Sequence, residues 1–111
     1  MAYDEELADR IRAALAPQDR ITERAMFGGL AFLVAGNMAV GITNTAELMV
    51  RLGSKGAEAA LEEPHARPFD MSGRPMRNWI VVGREGFDTD EQLGAWVERG
   101  AAFARSLPPK G

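Results

Sequence analysis

Apolar residues near the start of the chain recur at helical spacing. They form one stripe, which consists of Leu7, Ile11, Ala14 and Leu15. Acidic residues fill the first turn, where the positive end of the helix dipole favours them, and Pro17 lacks the N–H that a further turn would need. The pattern predicts a first helix over residues 4–16.

From residue 21 onwards, apolar and polar positions alternate instead. Alternation is typical of strands, because successive side chains of a strand point to opposite faces of the sheet. The pattern predicts a meander of three antiparallel strands, at 30–34, 38–42 and 48–52, with turns at Gly36–Asn37 and 43–46. Residues 21–27 are an optional leading strand, which Gly28 and Gly29 would bend or bulge.

The next part of the chain predicts a short helix and one further strand. Ser54 is a candidate N-cap for a helix that ends near Leu61. The stretch 64–75 contains three prolines and is expected to be irregular. Residues 76–82 are rich in β-branched and aromatic side chains, which predicts a strand.

A closing helix is expected from Asp88 or Thr89 to Leu107. Thr89 and Gln92 have the spacing of a capping box, in which each residue's side chain bonds the other's backbone N–H. The predicted inner face of this helix consists of Leu93, Trp96, Val97, Gly100, Phe103, Ala104 and Leu107.

This order of elements predicts a single α+β domain over residues 1–111. It would have two layers, an antiparallel sheet of about five strands and helices packed on one face. The other face of the sheet is not fully polar, because its expected residues include Ala31, Leu33, Ala39 and Met49. A second copy of the chain would bury such a face around a twofold axis, so a homodimer is expected.

An uncharged tract of 22 residues, from 25 to 46, is long enough to span a bilayer. Four glycines and a turn signal at 35–37 interrupt the tract, which favours a buried hairpin over a membrane span. The acidic N-terminus is followed by no apolar run, so no secretory signal is expected and the chain is predicted to be cytoplasmic.

Composition excludes several kinds of chemistry. The chain has no cysteine and one histidine, His65, so disulfides, thiolate nucleophiles and thiolate metal sites are excluded. No serine lies in a nucleophile elbow, and no glycine-rich phosphate loop is present. No cofactor, metal ligand or catalytic residue is therefore predicted, although an enzymatic activity is left open.

Basic residues are concentrated between positions 51 and 84, where six bases outnumber four acids. The candidates of interest are Arg67, Arg74 and Arg77, with Phe69 and Trp79 nearby. Guanidinium groups beside aromatic surface suit an anionic partner or an acidic protein segment. The alternative is a sheet rim whose arginines pair with Glu62, Glu63 and Asp70. The net charge of −3 argues against direct binding of nucleic acid.

The segment Phe27-Gly28-Gly29 is the other candidate site. Two glycines after an aromatic residue permit a positive φ or a close backbone approach. We expect a bend before the first long strand. The alternative is a nest of backbone N–H groups that binds an anion, with Arg24 nearby.

Several of these segments recur, in order, in a known family. They are Arg24–Gly29, the turn at Gly36 followed by Met38, Arg67–Phe69, Gly73–Met76 with Trp79, and the closing helix with Leu93 and Trp96. Over residues 4–106 the chain resembles the N-terminal domain of the TfoX/Sxy bacterial competence regulators. The resemblance implies a cytoplasmic α+β domain of the secretion-chaperone-like type. It implies no catalytic residue.

In two-domain members of that family, the whole protein promotes transcription of DNA-uptake genes together with the catabolite activator protein. This sequence ends at Gly111, so the second domain is expected to be absent. Competence regulation therefore does not transfer directly from the resemblance to this chain.

These observations lead to the hypothesis of a non-enzymatic regulatory or protein-interaction module. The alternative is a small-ligand or anion-binding domain with weak enzymatic activity. The expected partner is a protein, with a second copy of the chain as one candidate, and not a membrane. The predicted interaction or anion-binding residues are Arg24, Phe27, Gly28, Gly29, Arg67, Phe69, Arg74, Arg77 and Trp79.

Overall fold

The structure is a computed structural model that describes residues 3–26, 28–71 and 74–109; of residues 71, 74 and 75 it describes the backbone alone. The described residues form three helices and six strands. The helices are α1 (Glu5–Leu15), α2 (Gly53–Ala60) and α3 (Asp90–Ser106). The strands are β1 (Ile21–Met26), β2 (Gly29–Val34), β3 (Asn37–Ile42), β4 (Leu48–Arg51), β5 (Ala66–Met71) and β6 (Arg74–Val82). A short 3-10 helix, Arg84–Phe87, precedes α3.

All the strands belong to one antiparallel sheet, in the spatial order β1-β2-β3-β4-β6-β5. The predicted α+β class and the meander of the central strands are confirmed. The optional leading strand is also confirmed as β1. The sheet has six strands where about five were expected, and the additional strand is β5.

The prediction of an irregular stretch over 64–75 is wrong, because residues 66–71 form β5 and the chain returns in β6. β5 is an edge strand, paired on one side with β6, and the pairing register shifts between Pro68 and Phe69. A proline lacks the N–H of a ladder bond, and an edge strand tolerates this because one of its sides has no neighbouring strand. The prolines therefore mark an edge rather than a loop.

Glycine turns reverse the chain between the first three strands. Met26 lies opposite Gly29, and Gly28 between them has a φ of 75°. Gly28 thus supplies a positive φ directly before β2, which begins at Gly29. In the next hairpin, Ala35 and Gly36 have φ values of 52° and 84°, the two positive values that a type I′ turn requires.

The three helices pack on one face of the sheet and form the main core with the strand residues beneath them. The stripe predicted for α1 is confirmed, with Leu7, Ile11 and Leu15 buried. The largest fully buried side chains of this core include Phe32, Ile42, Leu48, Ile80 and Leu93. Phe103 of α3, in contrast, is only partly buried.

The sequence predicted N-caps for two helices, and the structure confirms one of them. Gln92 N donates to Thr89 Oγ1 at 3.1 Å and Thr89 N donates to Gln92 Oε1 at 3.0 Å, so the predicted capping box is confirmed. The predicted Ser54 cap is wrong, because the N-cap is Leu52, two residues earlier, and Ser54 lies inside α2. Gly53, with a φ of 78°, makes the sharp entry into that helix.

The uncharged tract 25–46 folds largely into β2 and β3, whose residues are almost all buried. Among residues 3–26, 28–71 and 74–109, no helix combines the length and the apolar character that a membrane span needs. The hairpin interpretation of the tract is thereby confirmed.

Candidate functional site

The sheet face opposite the helices carries a second apolar cluster. Its buried members are Ala31, Leu33, Met49 and Trp79, and Met26, Met38 and Phe69 lie partly buried around them. Among the described residues, the buried apolar side chains of all three helices belong to the main core, and none belongs to this cluster. We call this surface the helix-free face.

A groove of about 510 Å³ runs over the cluster. The side chains that define it are Met26, Met38, Met49, Met76, Phe69 and Trp79, and we call it the methionine groove. Met76 is 37% exposed, so apolar surface is open to solvent here. Methionine is unbranched and polarizable, which lets a groove of this composition adapt to partner side chains of different shapes.

A second groove, of about 840 Å³, adjoins the first, and Met38 and Trp79 line both. Three arginines from separate segments line it: Arg20 just before β1, Arg24 within β1 and Arg51 at the end of β4. We call it the arginine groove. Because the two grooves share lining residues, they form one continuous surface with an apolar part and a basic part.

Glu23 is the one carboxylate among the described residues that line the arginine groove, and α1 engages it. Arg12 Nε and Nη2 donate to its two carboxylate oxygens at 2.7 and 2.8 Å. These hydrogen bonds hold the pKa of Glu23 below its ordinary value. Glu23 is paired with Phe32 of the main core, so the alternation of the strand directs its side chain towards the helices.

Arg51 is held beside the groove without an acidic partner in the described part of the chain. Its guanidinium carbon lies 5.5 Å from the ring centroid of Phe103 on α3. Arg51 Nη1 lies 3.5 Å from the carbonyl oxygen of Met38, and its buried Nε has no hydrogen-bond partner. The contact with Phe103 therefore positions a guanidinium group whose hydrogen-bonding capacity is largely unused.

A different arrangement holds Arg67 on β5. Arg67 Nη2 donates to Glu47 Oε1, and this hydrogen bond keeps the pKa of Glu47 below its ordinary value. Arg67 thus pairs with an acid, as one interpretation of the sequence expected, but the acid is Glu47 and not the predicted Glu62, Glu63 or Asp70. For Arg24 and Arg51, in contrast, the described residues provide no ion pair.

The structure brings several of the predicted site residues to the helix-free face. Arg24 lines the arginine groove, Trp79 lines both grooves, and Phe69 lines the methionine groove. Arg77 lines a smaller depression together with Phe69 and Trp79, but α2 also lines it through Ser54 and Glu58, so Arg77 lies towards the helical layer. Phe27 lies outside the described residues, and Arg74 is described only by its backbone position in β6.

The two glycines have structural reasons for their identity. Gly28 provides the positive φ of the first hairpin. Gly29 lines the methionine groove, and a Cβ on it would collide with the carbonyl oxygen of Ile42 in β3. The expected bend is present, and the anion nest stays a prediction.

The site prediction did not include Arg20, Arg51 or the methionines of the groove. The alternation of side chains along the predicted strands could have revealed some of them. Met49 and Arg51 are two residues apart in β4, and Arg24 and Met26 are two apart in β1, so each pair shares a face of the sheet. Arg20 had no such signal, because it precedes the strand.

The groups in the two grooves are suited to binding. Guanidinium, thioether and aromatic side chains supply charge and adaptable apolar contact. His65 lies elsewhere, exposed, with Nδ1 3.9 Å from Glu85 Oε1. Among residues 3–26, 28–71 and 74–109, no group of three or more acidic or histidine side chains is arranged to hold a metal ion.

Comparison with known families gives one clear result. Residues 13–104 match the family model described as the TfoX N-terminal domain. The match covers most of the chain, including every strand and all of α2. A comparison with curated proteins found no match.

Proposed function

This chain belongs to the TfoX N-terminal domain family, and we propose that it is a non-enzymatic protein-interaction module that binds a partner protein on its helix-free face. The observation that carries the proposal is the second apolar cluster, which the helices leave uncovered although it contains Trp79 and several methionines. Contiguous apolar surface with a polar rim is typical of protein-binding sites.

A regulatory role is the one that family membership favours, since the family takes its name from a competence regulator. The module would act by holding a partner protein rather than by transforming a substrate. We place this activity in the cytoplasm, where transcriptional regulators of bacteria work. A homodimer that buries the same face is the competing arrangement.

The proposal is tested by selecting a random peptide library, displayed on phage, against the immobilised full chain. We expect enrichment of peptides with apolar residues. Their binding should be lost when Met38→Ser and Met76→Ser are combined, because these changes remove apolar groove surface without adding charge. Met76 is exposed and Met38 is partly buried, so both positions tolerate a smaller polar side chain.

Ala102→Ser is the matched control, because it places the same residue type on the exposed side of α3 in the helical layer. It should bind the selected peptides as well as the wild type does. If no peptide is enriched, or if the double variant and the control bind equally, the helix-free face is not a protein-binding site. Light scattering measures whether the wild type forms a dimer. If it does, and if the Met38→Ser and Met76→Ser double variant is a monomer, the helix-free face binds a second copy of the chain.

A further inference from the structure

The charge of the helix-free face is opposite in sign to that of the whole chain. Among the described side chains that line the arginine and methionine grooves, the basic ones are Arg20, Arg24 and Arg51. The acidic ones are Glu23, which Arg12 already binds, and Asp70. The chain as a whole carries a net charge of −3. Positive charge is thus concentrated beside the apolar groove, and the excess acid lies elsewhere.

We infer that the partner segment is acidic, with carboxylates that contact the arginine groove and apolar side chains that enter the methionine groove. This inference rests on the proposed function and adds the chemistry of the partner to it. The two grooves share Met38 and Trp79, so one continuous segment reaches both.

The arginines of the groove are available for such contacts. Glu23, the carboxylate that lines the arginine groove, is already bound by Arg12 at both oxygens. Arg24 is exposed. Arg51 is oriented by Phe103 and makes no ion pair within the described residues, where the one hydrogen bond of its side chain is the 3.5 Å contact from Nη1 to the carbonyl oxygen of Met38. A guanidinium group matches the two oxygens of a carboxylate with parallel hydrogen bonds, and these are among the stronger polar contacts in proteins.

The same charge pattern disfavours a second copy of the chain as the occupant. In a twofold interface the face meets a copy of itself, and this face offers few free carboxylates to the arginines, because Arg12 holds Glu23 and Arg67 holds Glu47. Like charges across an interface oppose association, whereas opposite charges steer it. An acidic segment satisfies the arginines, which a second copy of this face does not.

Nucleic acid is disfavoured by the aromatic residues. Binding of single strands uses exposed aromatic rings on which bases stack. Trp79 is 8% exposed and Phe69 packs against its edge, so the rings form the floor of the groove rather than a stacking platform. Side chains that enter between methionines fit this floor better than bases do.

The test uses the peptides that bind the wild-type chain in the selection described above. We expect the enriched sequences to contain Asp or Glu next to apolar residues. Replacing those acids by Asn or Gln should weaken binding by about tenfold or more, the loss typical of a charge-assisted contact. Added salt should also weaken the binding, because it screens exposed charges.

Variants of the protein locate the effect. Arg24→Gln and Arg51→Gln should each weaken the binding of the acidic peptides. Neither variant should change the binding of the peptides whose acids have been replaced by Asn or Gln. Arg51→Lys should bind the acidic peptides more tightly than Arg51→Gln but less tightly than the wild type, because an ammonium group keeps the charge and lacks the planar fork of guanidinium. Arg105→Gln is the matched control, since it removes one positive charge from the exposed surface of α3 in the helical layer.

The outcomes separate this inference from the proposed function. Neutral or basic peptides that bind the methionine groove would overturn the acidic partner and leave the interaction module standing. The acidic partner would also be overturned if Arg24→Gln and Arg105→Gln weakened the binding of the acidic peptides equally. Displacement of the peptides by inorganic phosphate at matched ionic strength, or by a single-stranded oligonucleotide, would reassign the arginine groove to that ligand.

Discussion

Phe69 packs edge-on against Trp79, with ring centroids 6.2 Å apart and ring planes inclined at 63°. The two residues belong to different strands, since Phe69 lies in the edge strand β5 and Trp79 in its neighbour β6. The contact lies directly beyond the register shift at Pro68. It therefore secures an edge strand whose own sequence is unfavourable for regular pairing, and it forms the floor of the methionine groove.

Phe69→Ala is expected to lower the free energy of unfolding by about 1–3 kcal/mol, because it removes partly buried apolar surface and an edge-to-face aromatic contact. Urea denaturation followed by tryptophan fluorescence measures the change. Phe69→Leu keeps most of the apolar volume and should lose less. Equal losses for the two variants would mean that the ring geometry contributes nothing.

Two glycines of α3 provide an internally controlled comparison. A Cβ on Gly100 would lie 2.5 Å from the carbonyl oxygen of Ala39 and 2.7 Å from Cγ1 of Val40, whereas a Cβ on Gly94 meets nothing within 4 Å. Gly100→Ala should therefore destabilise the protein by about 1–3 kcal/mol, because the helix must move away from β3. Gly94→Ala should stabilise it by about 0.5–1 kcal/mol, because alanine is the better helix former.

Thermal unfolding of both variants, measured by circular dichroism, checks this pair. The shifts of the midpoint should have opposite signs. A lower midpoint for Gly94→Ala, or an unchanged one for Gly100→Ala, would contradict the close packing of α3 on the sheet.

The ion pair between α1 and β1 predicts a pH dependence. Hydrogen bonds from Arg12 lower the pKa of Glu23 in the folded state below its ordinary value of 4.5. A carboxylate with a lowered pKa stabilises the fold above its ordinary pKa, and this contribution is lost as the pH falls through the lower, folded-state value. Glu23→Gln should therefore be less stable than the wild type near neutral pH, and the difference should shrink in acid.

Urea midpoints of the wild type and Glu23→Gln, measured at neutral pH and well below pH 4.5, test this sign. Because the pair is partly exposed, the effect is small and weakens with salt. Glu58→Gln is the control, since Glu58 is exposed on α2 and makes no ion pair with the described residues. If the stability difference between Glu23→Gln and the wild type grew in acid, the pKa of Glu23 would be raised in the folded state rather than lowered.

The sequence predicts most of the fold because the main core imposes its periodicity on the chain. Phe32 and Val50 alternate with residues of the other face, and both of their strands were predicted. The expectation that Ala39 lies on the other face is wrong, because the pairing of β2 with β3 shifts register there and Ala39 joins Val40 in the main core. β5 was not predicted, because two prolines lie in or next to it and its regularity comes from pairing with β6. Pairing between segments is a property of the folded sheet, which local pattern does not reveal.

The candidate site, too, was predicted only where a local pattern in the sequence marks it. Phe69 and Trp79 were predicted from residue type, because arginine beside aromatic surface is recognisable in sequence. Arg24 was predicted for a different reason, as a neighbour of the possible anion nest at Gly28 and Gly29. Arg51 was missed as a site residue, although its place two residues after Met49 fixes its face. What sequence does not give is the convergence of Arg20, Arg24 and Arg51, since they lie in segments that only the order of the strands brings to one groove.

The turn between β2 and β3 offers a way to stabilise the protein beside the arginine groove. Ala35 has a φ of 52°, a conformation in which the Cβ of an ordinary residue crowds the following carbonyl. Asparagine adopts this conformation more easily and is preferred before glycine in a type I′ turn. Ala35→Asn should therefore raise the free energy of unfolding by about 0.5–1 kcal/mol.

The backbone bond at this position allows the exchange, because Ala35 N donates to the carbonyl oxygen of Arg20 at 3.0 Å whatever the side chain. Ala35→Val serves as the opposite test, since a branched Cβ is least compatible with a positive φ, and it should lower the stability. Urea denaturation ranks the three proteins. The order asparagine, alanine, valine follows from the turn geometry, whereas a most stable valine variant would mean that the hairpin has an ordinary negative φ at this residue.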